Sequence, residues 1–170
     1  MTQPTVTTDL DVEINHGQVY IYAQAPWADD PSNNAVLRAL DDARQSGRFV
    51  GVADALIDLV TPVQWNFHAP MRIEIWSLEP PADDDAWDQV VDVDLDVPNG
   101  RLWFEGSGGR EPIPCDVPAG TYRARVSGRG YTEAADGAEG LDSYRLRLWP
   151  RGDETSPALR RGWPGWQNIT

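Results

Sequence analysis

The feature that most constrains this chain is a two-residue period. Residues 91–97 set Val91, Val93, Leu95 and Val97 on one side and Asp92, Asp94 and Asp96 on the other. A helix cannot keep that period, whereas a strand buried on one face requires it. The same alternation runs through Gln18–Gln24, with Val19, Ile21 and Ala23 against Tyr20 and Tyr22. It recurs in Met71–Leu78, with Met71, Ile73 and Ile75 against Arg72, Glu74 and Trp76, and in Tyr122–Ser127 and Tyr144–Trp149. Many strands of this kind predict a mainly β protein, an antiparallel β-sandwich.

Turn chemistry supports the strands. Pro98-Asn99-Gly100 precedes Arg101–Glu105, and Pro118-Ala119-Gly120 joins Ile113–Val117 to Thr121–Ser127. Both read as tight hairpins, because Asn and Gly tolerate the positive φ angles that such turns need. One short helix is expected at about residues 33–46. Ser32, Asn33 and Asn34 offer cap oxygens, Val36, Leu37, Leu40 and Ala43 make an apolar stripe, and Gly47 suits the C-terminal end. Phe49–Val60 reads as one strand with a bulge or bend at Gly51, and residues 61–70, 79–88, 106–112 and 130–142 read as loops.

At 170 residues the chain fits one domain. We expect a single sandwich domain over residues 1–150 and an irregular Pro/Gly/Trp-rich tail over 151–170, either a packed strap or partly disordered. The apolar fraction of 41% and charged fraction of 24% belong to a globular chain. No apolar run is long enough for a membrane helix, and residues 1–9 lack the basic start and apolar stretch of a signal peptide. One cysteine, Cys115, allows no internal disulfide, so the expectation is a cytoplasmic protein.

Charge narrows the partners. The formal net charge is −13, and residues 1–100 hold 18 Asp/Glu against four Arg, whereas residues 101–170 are nearly balanced. An acidic surface repels nucleic-acid and membrane phosphate and attracts basic proteins. Arg123 and Arg125 alternate along one strand, and Arg145 and Arg147 along another, on the polar side. Either these strands neighbour the Asp92/Asp94/Asp96 ladder and neutralise it, or the molecule has an acidic face and a basic face.

Catalytic and metal motifs are not evident. His16 and His68 are far apart and outside any ligand-spaced motif, and Cys115 reads as a small buried residue beside Asp116. Gly106-Ser107-Gly108-Gly109-Arg110 lacks the Lys-Ser/Thr and helix of a phosphate loop and reads as a hairpin loop. Carboxylates spaced about 6–7 Å along a strand face are too sparse to wrap a Ca²⁺ ion. No metal and no cofactor is expected. The acidic loop Asp83, Asp84, Asp85 and Asp88, with Trp87, is the candidate partner-binding patch. Eight tryptophans raise a rival, a sugar- or protein-binding module with exposed aromatics, against the plainer reading that they pack the core.

The order of segments resembles the competence-protein J family of β-sandwich proteins, whose founding member inhibits the DNA-entry nuclease (Nin-like). The resemblance runs from about Val12 to Pro150. It rests on Glu13–Ile21, Gly51–Ile57 after the helix, Val91–Gly100, Cys115–Arg123 and Asp142-Ser143-Tyr144 before the last strand. It implies the sandwich fold and a non-catalytic role as an acidic inhibitor or immunity-like partner of a basic nuclease or toxin. No catalytic motif is carried over with it.

Overall fold

Alternation finds the strands at Gln18–Tyr22, Gln89–Val97, Gly120–Arg129 and Ser143–Pro150 but misses those at Val6–Asn15 and Ala158–Arg161, and turn chemistry does not tell which strands become neighbours. The computed structural model describes residues 2–169. In chain order the elements are β1 (Val6–Asn15), β2 (Gln18–Tyr22), α1 (Ala35–Gln45), β3 (Val50–Ala53), β4 (Leu56–Val60), β5 (Trp65–Ile75) and β6 (Gln89–Val97). They continue with β7 (Arg101–Gly106), β8 (Ile113–Asp116), β9 (Gly120–Arg129), α2 (Tyr131–Ala135), β10 (Ser143–Pro150) and β11 (Ala158–Arg161).

The fold is mainly β, as expected, but two separate sheets do not form. All eleven strands among the described residues belong to one sheet, ordered β11-β6-β9-β10-β5-β1-β2-β4-β3, with β7 also on β2 and β8 on β7, curled into a half-barrel. Continuity passes through the His16-Gly17 turn, where both residues have positive φ. There β1 and β2 pair at Asn15 and Gln18 and then diverge, β1 to β5 and β2 to β4 and β7. The sheet is not purely antiparallel either, since β10 runs parallel to β5 from Tyr144↔Met71 to Leu148↔Ile75.

The two expected hairpins are corners. β6 pairs with β9 and β11, not with β7, and β8 pairs with β7, not with β9. In this segment the hairpin that forms is β7–β8, around the Gly106–Pro112 loop, and it grows out of the adjacent pair β6–β9. Gly100 keeps the positive φ that its turn needs. Tyr122 closes the second corner by donating its hydroxyl to the carbonyl of Pro118 four residues upstream, a tyrosine corner that fixes the chain's exit between parts of a β fold.

Phe49–Val60 is two strands, not one. Asp54 and Ala55, both at positive φ, make the turn between β3 and β4. Gly51 serves close packing and not a bulge: a Cβ there would lie 1.7 Å from the carbonyl oxygen of Ala39 on α1. The buried stripe of α1 is accordingly Ala35, Ala39 and Ala43, and Leu37 is exposed. Small residues, not the larger aliphatics, face the sheet because the helix backbone sits almost on the β3 backbone. Gly47 ends the helix at positive φ, as expected. Residues 61–70 contain the first half of β5, and residues 130–142 contain α2, so neither is wholly loop.

The main core gathers the inward positions of nearly every strand, including Val12, Ile21, Ile73, Val93, Ala124 and Leu146. A second cluster of Tyr20, Tyr22, Leu56, Ala35 and Ala39 lies under α1. Part of the tail is held against the sheet. β11 pairs with β6, Trp163 is buried, and Trp166 stacks on Phe49 with ring centres 3.9 Å apart. No helix among the described residues is long and apolar enough to cross a membrane.

Candidate functional site

The alternatives left open for the charged ladders are decided by register. β6 and β9 are neighbours, so Asp92 faces Arg125 and Asp94 faces Arg123. Arg125 in turn faces Arg147 on β10, and Arg147 faces Glu74 on β5, giving one row across four strands. Arg125 is fully buried. Its guanidinium grips both oxygens of Asp92 at 2.7 and 2.9 Å, donates to Glu79 at 2.9 Å, and lies over the Trp149 ring. Arg123 bridges Asp94 to the carbonyls of Thr155 and Ser156, which ties the tail to the sheet. Burial, reinforced by the Arg145 charge, holds the Arg147 pKa below its usual value. This face is internally compensated, and its worth depends on completeness, because a buried charge stripped of its partner is strongly unfavourable.

The loop singled out by sequence lies across the same face. Asp83 accepts from Arg145 at 2.7 Å and from Arg147 at 2.8 Å. Burial alone would raise its carboxyl pKa, but those two guanidinium groups outweigh it and hold the pKa low. Asp84 pairs with Arg160 and Asp85 with Arg161. Asp88 accepts the backbone N–H of Tyr131 at 3.0 Å. Trp87 is buried, flanked by the guanidinium groups of Arg129 and Arg145 at 4.7 and 4.5 Å. The segment is thus a strap over a basic surface, and of its acids only Asp85 stands fully in solvent.

His16 and His68 are not brought together into one constellation. His16 Nδ1 lies 3.2 Å from the Ser107 carbonyl and its ring packs edge-on to Trp65, whereas the exposed His68 lies 4.0 Å from Asp11. Burial pushes the Cys115 thiol pKa up, which disfavours the thiolate. Among the described residues no group of three His, Cys, Asp or Glu side chains converges as a metal site.

Sequence reasoning missed an exposed aromatic patch. Of the eight tryptophans, all within the described residues, only Trp65 is exposed, at 54%, with Phe67 beside it at 45%. A register shift in β1–β5 explains the pair. Val12 faces Ala69 and Ile14 faces Asn66, so the single residue Glu13 opposes both Phe67 and His68. That bulge turns both side chains outward while Asn66 and Ala69 stay buried. The signal was the Trp65-Asn66-Phe67 alternation, hidden between Pro62 and Pro70 in a stretch read as loop. Next to the patch, between β1 and the β7–β8 loop, is a groove of about 380 Å³ lined by Asp11, Glu13, Phe67, His68, Arg110 and Glu111 among others. Gly106 and Gly109 let that loop lie on β1, since a Cβ at either would meet Glu13 within 2.8 Å.

No protein-family model and no curated protein matches the chain. Solved structures do. ComJ from Bacillus subtilis, described as an inhibitor of the DNA-degrading activity of NucA, aligns with 89% of this chain and 99% of its own, at 19% identity and a TM-score of 0.57. Crocagin biosynthetic gene J aligns with 87% of this chain and 100% of its own, at 16% identity and a TM-score of 0.60. Along most of its length, the chain therefore has a fold similar to that of ComJ.

Proposed function

We propose that this protein is a non-catalytic inhibitor that binds a basic, DNA-degrading nuclease. The observation that carries this reading is the fold match to ComJ across nearly the whole of that inhibitor's chain. Charge supports it: the formal balance is −13, and a nuclease groove that binds phosphate is basic. The strap Asp83–Asp88 contributes to attraction mainly through Asp85, because Asp83, Asp84 and Asp88 are engaged within the molecule. The sugar-binding alternative loses most of its platform, since seven of the eight tryptophans are buried or partly buried.

Co-purification from the native host, with mass spectrometry of the retained proteins, tests the reading. The expected result is a basic nuclease held at low salt and released as ionic strength rises. Repeated recovery of the protein alone contradicts it.

A further inference from the structure

Resting on that reading, the geometry points to the groove between β1 and the β7–β8 loop as the seat for an arginine side chain of the basic partner protein, with Trp65 and Phe67 as its aromatic lip. Three observations converge there. The bulge at Phe67-His68 aims an apolar ring into solvent where a regular strand would have buried one of the two residues. Asp11, Glu13 and Glu111 set three carboxylates in the groove against one guanidinium, Arg110. Arg110 itself lies 5.9 Å from the centre of the Phe67 ring, so the groove already accommodates a guanidinium over an aromatic face.

The groove sits at the seam where β1 leaves β2 and the β7–β8 hairpin takes its place. One wall is therefore set by the sheet, and the other by the β7–β8 loop that carries Arg110 and Glu111. Glu13 accepts the backbone N–H of Arg110 at 3.1 Å, which holds the loop wall in place. A guanidinium entering beside Arg110 would meet Glu111 and Asp11 as acceptors, with its stem on Phe67. Trp65 would supply the large, partly desolvated contact typical of energetic centres in protein interfaces. This surface is distinct from the Asp83–Asp88 strap, whose acids are largely committed to internal arginines.

Two measurements on the full chain test the seat. In the first, a hexa-arginine peptide is titrated into labelled protein and followed by residue-resolved NMR. Shifts confined to the Trp65 indole, Phe67, His68 and Glu111 support the proposal. Absent shifts, or shifts centred on another acidic groove such as that lined by Asp29, Asp54 and Asp96 or that lined by Asp94, Asp96 and Glu154, overturn it. In the second, Trp65→Ala, Glu111→Gln and Arg110→Gln are compared in inhibition of the partner nuclease. The first two are expected to weaken inhibition about tenfold or more, and Arg110→Gln to strengthen it by removing a competing cation. Unchanged inhibition by all three variants overturns the seat and leaves the inhibitor reading standing. A wild-type protein that inhibits no nuclease removes that reading, and the peptide titration still decides the groove.

Discussion

Asp58 stores an instability that grows as pH rises and that a single substitution should release. It lies on β4 between Gly51 of β3 and Tyr20 of β2, fully buried, with neither carboxylate oxygen hydrogen-bonded. Arg44 on α1 is the opposing cation. Burial wins over Arg44 and raises the Asp58 pKa to about 8. An aspartate in the unfolded chain titrates near 3.9. The folded pKa is thus the higher one, so the stability linked to this group is fully present below about pH 4 and is lost as pH rises toward about 8. Each unit of pH between those limits is worth about 1.4 kcal/mol, which gives about 3 kcal/mol between about pH 5 and pH 7.5. Asp58→Asn keeps the shape and has no proton to lose. Urea unfolding of both proteins, followed by tryptophan fluorescence, should show the variant gaining about 3 kcal/mol on the wild type over that pH range. The change in their difference is the observable, because any fixed cost of the buried amide cancels. Parallel stability curves would refute the reasoning.

Other substitutions probe the remaining contacts. Gly51→Ala forces a Cβ onto the Ala39 carbonyl, and should cost about 3 kcal/mol or more in urea unfolding through overpacking against backbone; a loss under about 1 kcal/mol would show that α1 is not seated there. Asp92→Ala strips the buried Arg125 of its bidentate partner, with an expected loss of about 3–5 kcal/mol, whereas Asp85→Asn on the exposed strap should stay within about 0.5 kcal/mol. Equal effects of those two variants would contradict the assignment of the charged row as buried structure. Tyr122→Phe removes the hydroxyl bond to Pro118 and should cost about 1 kcal/mol in the same assay, and no loss would deny the corner a stabilising role.

What the sequence made legible was local. The alternation in residues 91–97 named the inward valines and the outward aspartates of β6, and register then paired those aspartates with Arg123 and Arg125. No local pattern contains that register, because β9 lies more than 20 residues further on and arrives through a corner. Turn residues behaved likewise. Asn99-Gly100 and Ala119-Gly120 encode a change of backbone direction, and both occur, yet neither encodes which strand lies across the turn. The helix misled by size: of the stripe Val36, Leu37, Leu40 and Ala43 only Ala43 is fully buried and Leu37 is exposed, because close contact with Gly51 selects Ala35, Ala39 and Ala43. The acidic strap was read as a free patch because its partners, Arg145, Arg147, Arg160 and Arg161, lie some 60–77 residues away in sequence. The Trp65–Phe67 patch was masked by prolines on both sides, and only the β1 register reveals the bulge that exposes it.

The inhibitor reading meets its most direct test in a titration of plasmid-DNA degradation. Each basic DNA-degrading nuclease of the native host is assayed alone and with increasing amounts of this protein at low salt. The expected result is loss of degradation by one of them near equimolar protein, with activity returning as salt is raised. Undiminished degradation by every such nuclease at a large molar excess of the protein would contradict the account.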